Sequence, residues 1–158
     1  MKRLLFLLLS YPLTGSMPPP DKPLASVTVD KSIVDAGMTT VVSIWVEIKM
    51  GYHVQANKVD DESLIPTTLE VSSVEGITIG QQEFPRTKPF KLEGTDSFLN
   101  VYDGKFPIKL SVSSVAEMKT GTYVLAAKLH YQACDSKSCL FPRAVDFSIP
   151  IEVKNTRK

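Results

Sequence analysis

Val41-Val42-Ser43-Ile44-Trp45-Val46-Glu47-Ile48-Lys49 decides the fold of this chain. Val42, Ile44, Val46 and Ile48 fall on one side of an extended backbone, and Ser43, Trp45, Glu47 and Lys49 on the other. That is a period of two, the signature of a half-buried strand. Outward from it the same alternation recurs. Phe106, Ile108, Leu110 and Val112 alternate with Pro107, Lys109, Ser111 and Ser113. Tyr123, Leu125, Ala127, Leu129 and Tyr131 form another apolar face. Val145, Phe147, Ile149, Ile151 and Val153 form the last, with Pro150 on the opposite face marking an edge strand. Weaker strands are expected at residues 26–30, 67–73 and 77–84. Asp35-Ala36-Gly37, Met50-Gly51, Glu75-Gly76, Asp103-Gly104 and Thr120-Gly121 supply the turns. About seven short strands, each apolar on one face, predict an all-β, two-sheet sandwich. Trp45, on the polar face of its strand, is expected to shield an edge or a second small cluster. The single helix candidate is residues 114–119, one or two turns at most. Residues 82–100 mix Pro85, Pro89, charges, Phe84, Phe90 and Phe98 without period, and a long irregular segment in a compact domain points to function.

The chain has 158 residues, 43% apolar and 22% charged, enough for one globular core and too apolar for disorder. Lys and Arg total 18 against 17 acidic residues, a net charge of +1. This balance leaves no electrostatic footprint for nucleic acid and no acidic tail. Eight Gly and eleven Pro favour turns over a helical bundle. Lys2 and Arg3, the apolar run from Leu4 to Leu9, and the small residues Thr14, Gly15 and Ser16 read as a cleaved export signal at 1–16. The run is far short of the roughly 20 residues that span a bilayer. Residues 17–23 are a proline-rich linker, 24–154 the sandwich domain and 155–158 a tail. Export predicts a periplasmic or otherwise external location, where disulfides persist.

The strong chemical feature is Tyr131-Gln132-Ala133-Cys134-Asp135-Ser136-Lys137-Ser138-Cys139-Leu140-Phe141-Pro142. A bond closing so short a loop contributes roughly 2 kcal/mol by chain entropy, less than the ~3 of a 15-residue loop. A structural staple and a redox pair therefore both remain open. Lys137 would favour a thiolate and Asp135 would oppose it. Cys134, Cys139, His53 and His130 form the only conceivable metal set, and their spacing is not zinc-like, so no metal is expected. Phosphate loops, HExxH and G-x-S-x-G are missing, and neither a cofactor nor a small-molecule substrate is expected.

Gly51-Tyr52-His53-Val54-Gln55-Ala56-Asn57-Lys58, Leu64-Ile65-Pro66-Thr67, Val101-Tyr102-Asp103-Gly104, and Tyr131-Gln132-Ala133-Cys134 with Cys139 and Pro142 follow one another in an order that resembles a known family. It is the N-terminal periplasmic domain of DsbD-type thiol–disulfide interchange proteins, and the resemblance covers roughly residues 25–153. It implies an immunoglobulin-like sandwich whose cysteine pair takes electrons and passes them to periplasmic disulfide-handling proteins. Cys139 would join the partner and Cys134 would resolve the mixed disulfide. Thioredoxin-fold proteins and a separate membrane electron donor would be the partners, docking on an apolar patch of Leu140, Phe141 and Tyr102. Full-length members continue into membrane and thioredoxin-like domains, whereas this sequence ends at Lys158, so a stand-alone version is expected. The four residues between its cysteines also differ from the five of well-known members.

The resemblance further implies a protective cap, a loop whose aromatic residue covers the cysteines. Val101-Tyr102-Asp103-Gly104 matches it. Tyr102 offers a rigid ring with a polar tip, Gly104 the backbone freedom of a hinge, and Asp103 a charge that disfavours thiolate. Tyr102 is accordingly expected in side-chain contact with Cys134 or Cys139.

Overall fold

The computed structural model describes residues 22–155. The expected signal at 1–16, most of the linker and all but the first residue of the tail lie outside these residues. Twelve strands are found among the described residues. They are β1 (Ala25–Val29), β2 (Ser32–Asp35), β3 (Thr39–Ile48), β4 (His53–Gln55), β5 (Thr68–Val71), β6 (Ile77–Glu83), β7 (Lys88–Lys91), β8 (Phe98–Tyr102), β9 (Lys105–Ser114), β10 (Gly121–Tyr131), β11 (Ala133–Cys134) and β12 (Arg143–Lys154). They form three four-stranded sheets, in the orders β1-β3-β9-β6, β2-β12-β10-β5 and β11-β4-β8-β7. All pairings are antiparallel except β2 with β12.

The first two sheets make the sandwich, and the alternating residues fill it. Val42, Ile44, Val46 and Ile48 of β3 meet Ile108, Leu110 and Val112 of β9. Leu125, Leu129, Ile149, Ile151 and Val153 come from the other sheet, and all of these are buried. Apolar area removed from water drives this packing at about 25 cal/mol per Å². Trp45 turns outward as its position dictates. Its Nε1 donates to Asp30 Oδ2 at 2.9 Å, and Lys105 Nζ lies 5.5 Å from the ring centroid. Pro150 faces Val124 of β10, and β2 joins the far side of β12 only from Ile151 onward. The residues before it therefore form an edge, which tolerates the missing N–H.

The third sheet is an offshoot of the other two. After β3 the chain turns at Gly51 (φ +86°) into β4. After β8 it turns at Gly104 (φ +61°) into β9, with Ile48 N donating to the Gly104 carbonyl at 2.8 Å. After β10 it runs, one residue later, into β11. The paired strands β3 and β9 thus hand over to the paired strands β4 and β8. Two expectations are corrected. Residues 114–119 are not helical: β9 runs through Ser114 and a turn follows, with Met118 N donating to the Val115 carbonyl at 3.2 Å. Six residues are too few to repay helix nucleation against the packing of Met118 into the core. Residues 82–100 are not irregular throughout, because β7 and β8 form a hairpin inside them.

Leu110 is fully buried on β9, opposite Val42. Leu110→Ala is expected to lower unfolding stability by about 2–5 kcal/mol, read from a urea denaturation curve.

Candidate thiol–disulfide site

Tyr131 ends β10 inside the core, and the side chain of the next residue, Gln132, then ties three segments together. Its Nε2 donates to the Leu140 carbonyl at 3.1 Å, and its Oε1 accepts from Ile65 N at 2.8 Å. Its backbone carbonyl accepts from Gln55 N at 3.0 Å. Leu140 N donates back to the Ala133 carbonyl at 2.7 Å. These bonds close the chain into a narrow antiparallel bridge in which Cys134 and Cys139 face each other, Cα atoms 3.9 Å apart, joined by a disulfide. The tip is fastened by Asp135, whose Oδ1 accepts from Lys137 N and Ser138 N, both at 2.8 Å. Those two backbone donors hold its carboxyl below the usual aspartate range. Asp135 is thus an Asx-type loop clamp.

Strand parity assigns every other side chain. β11 and β8 flank β4, with Ala133 opposite Val54 and Val54 opposite Tyr102; Cys134 lies opposite His53 and Gln55 opposite Val101. Directly opposed residues share a face of the sheet. Ala133, Val54 and Tyr102 therefore point together and join the main core. Cys134, His53 and Gln55 point the other way. There Gln55, 1% exposed, places its Nε2 3.1 Å from Cys134 Sγ and 3.5 Å from Cys139 Sγ. Thr67 Oγ1 donates to the Gln55 carbonyl at 2.5 Å, so both backbone groups of this residue are held. Cys134 is 0% exposed and Cys139 is half-buried. Beside Cys139 opens a shallow depression walled by Gln132, Leu140, Phe141, Pro142 and Arg143. Phe141 is 91% exposed there, while Leu140 packs partly against the core.

Tyr102 does not lie where a cap at that position was expected. It is 2% exposed, its ring rests on Phe106 at 5.0 Å and faces Phe84 at 6.3 Å, and its hydroxyl donates to Asn57 Oδ1 at 2.6 Å. Burial pushes its phenol pKa up. The physical reason is parity: residue 102 closes a strand, and its side chain takes the core face, opposite the sulfurs. For the same reason it takes no part in the patch of Leu140 and Phe141. Asp103 is ion-paired with Lys88, and Gly104 makes the turn into β9. On the face that carries the sulfurs, β7 and the tip of the β7–β8 hairpin reach back to β4 and the cysteine loop. Phe90 stacks on His53 with ring centroids 4.0 Å apart, and Glu93 N donates to the Ser136 carbonyl of the cysteine loop at 2.8 Å. His53 and His130 are on different sheets, His130 beside Glu70 at 3.4 Å. Among the described residues no three His, Cys, Asp or Glu side chains are grouped to hold a metal. The residues missed from sequence were Gln55, Phe90 and the hydrogen-bonding role of Gln132. Gln55 and Gln132 lie within the motif blocks, and Phe90 was visible only as an aromatic in an aperiodic stretch.

The structure thus joins an immunoglobulin-like sandwich to a short-loop cysteine pair in which Cys134 is buried and Cys139 half-buried. The profile of one family, described as "Thiol:disulfide interchange protein DsbD, N-terminal", matches residues 22–150. The chain belongs to that family. Among solved structures it is similar to the N-terminal periplasmic domain of ScsB from Proteus mirabilis, with TM-score 0.55 and 20% identity. That match covers 88% of this chain and 50% of that one, so the chain spans about half the length of this relative. It is also similar to the seventh ScaB type I cohesin from Pseudobacteroides cellulosolvens, with TM-score 0.52, 11% identity, and 85% and 94% of the two chains covered. At these identities the likeness is one of fold. No curated protein matches the chain in sequence. Among the described residues no helix is long and apolar enough to cross a membrane.

Asp135 gives a pH signature. Its carboxyl is lowered in the folded loop, so its contribution is complete above the ordinary aspartate value and is lost as pH falls through the lowered one. Asp135→Ala is expected to destabilise the domain at pH 7, with the difference from wild type shrinking as pH drops below about 4. Parallel urea titrations at the two pH values measure it.

Proposed function

We propose that this chain is an exported thiol–disulfide carrier whose Cys134–Cys139 pair cycles between disulfide and dithiol. The observation that carries this reading is the asymmetry of the two sulfurs: Cys134 is sealed at 0% exposure, and Cys139 borders an open apolar depression under the exposed Phe141. Attack by an incoming thiolate is directed to the sulfur it can reach, so Cys139 forms the mixed disulfide and Cys134 is the leaving and resolving thiol. Phe141, with Leu140 behind it, supplies a small apolar docking patch for a thioredoxin-fold protein, the weak contact usual in electron transfer. A membrane protein of the same exchange system would renew the electrons in the periplasm, as the family membership and the apolar N-terminal run suggest. The β7–β8 hairpin, with Phe90 over His53, is the cover that limits access to the pair; Tyr102 supports the same sheet from the core side.

The competing reading is a binding module with a static disulfide, and complete burial of Cys134 favours it. Reduction potential separates the two. A carrier is expected near the thioredoxin value of about −270 mV, and a potential below about −300 mV would mark a permanent bond. Cys134→Ser is expected to trap Cys139 in a mixed disulfide with its partner in an extract of the source cell, and a variant that traps nothing would argue for the static module.

The cover makes a separate claim. Phe90→Ala is expected to speed opening of the disulfide by reduced glutathione severalfold with little loss of stability. Tyr102→Ala, by contrast, should cost about 3–5 kcal/mol of stability, as removal of a large buried aromatic does.

A further inference from the structure

Gln55 is an odd residue to bury. Its backbone N–H and carbonyl are both bonded, to the Gln132 carbonyl and by the Thr67 hydroxyl. Its side-chain amide, 1% exposed overall, is spent on two disulfide sulfurs, at 3.1 Å and 3.5 Å. A neutral sulfur is a weak acceptor, so the oxidised state gains little from this contact. A thiolate is a strong one, and hydrogen bonds to charged groups are worth about twice those to neutral groups. Interactions that strengthen only as charge develops are the ones that accelerate a step. Cys134, the nearer sulfur, is also fully buried, where a thiolate is otherwise disfavoured by desolvation.

We propose that Gln55 is a working member of the redox centre, donating its amide N–H to the thiolate that forms on Cys134 when the disulfide opens. The assignment rests on the carrier reading for its biological use. In that step a partner thiolate attacks Cys139 Sγ and a new S–S bond forms. The Cys134–Cys139 bond breaks, and its electron pair leaves on Cys134 Sγ, towards Gln55 Nε2. The partner's second thiolate then attacks the partner sulfur of the mixed disulfide, and Cys139 departs as a thiolate. The partner dithiol is oxidised to a disulfide, the pair here is reduced, and the two protons lost by the partner are balanced by those taken up on Cys134 and Cys139. Gln55 thereby distinguishes the two cysteines: it makes the buried one the better leaving group, while the accessible one is left to be attacked.

Gln55→Met keeps length and volume and removes the donor. In a Cys139→Ser background, the ultraviolet thiolate absorbance of Cys134 is expected to titrate about one pH unit higher with Gln55→Met. In the otherwise unmodified protein, opening of the disulfide by dithiothreitol should slow about tenfold. An unchanged titration midpoint would overturn the proposal. A purely structural Gln55 would lower the denaturation midpoint and leave the thiolate titration where it is. If Gln55→Met does not fold, the reduced wild-type protein decides. The Gln55 side-chain amide resonances should shift with the same pH midpoint as the Cys134 thiolate, and an amide indifferent to that titration would sink the assignment. Failure of the carrier reading looks different, because a very low reduction potential or no trapped partner leaves the effect of Gln55 on Cys134 titration still readable.

Discussion

In β4 the pleat divides three consecutive side chains between two environments. Val54 turns into the sandwich core, while His53 and Gln55 turn to the opposite face, where Cys134 lies. The site depends on that division. The core face anchors the small third sheet through Val54, Ala133 and Tyr102, so its strands cannot slip by one residue without exchanging core and site side chains. The other face is consequently held at a defined distance from the sulfurs, with the amide of Gln55 and the ring of His53 in place before any partner arrives. Preorganisation of this kind comes from packing on the side of the sheet that does no chemistry.

Two opposing effects meet at Cys134. Burial protects a sulfur from small oxidants and reductants, and the same burial raises the cost of the thiolate that exchange requires. The amide of Gln55 relieves that cost locally, without opening the site to water. The β7–β8 hairpin acts at the other end of the problem, through the contact of Phe90 with His53 and the bond from Glu93 N to the Ser136 carbonyl. Both of these contacts belong to β7 and the hairpin tip, whereas the base of β8 is anchored by the buried Val101 and Tyr102 and by its pairing with β4.

The sandwich itself is a common frame, and its similarity in fold to a cohesin illustrates that architecture alone does not carry chemistry. What distinguishes this chain is local: strands that leave the two main sheets together, at Gly51, Gly104 and Gln132, and build a third sheet at their ends. Function is grafted where the core runs out.

The strands of the sandwich other than β2, the turns at Gly51 and Gly104 and the position of the cysteine loop were legible in the sequence. They are local properties: alternation over ten residues, a glycine where φ is positive, and two cysteines five positions apart. The short helix expected at 114–119 and the irregular stretch at 82–100 were misread because packing of Met118 and pairing of β7 with β8 override weak local signals. Which face Tyr102 takes, and that Gln55 rather than any charged residue meets the sulfurs, only the tertiary structure decided. Those placements depend on the register among residues 53–55, 101–102 and 133–134, segments dozens of positions apart. A shift of one residue in that register reverses every side chain, and strands of two to five residues are too short for their own pattern to state which way they face.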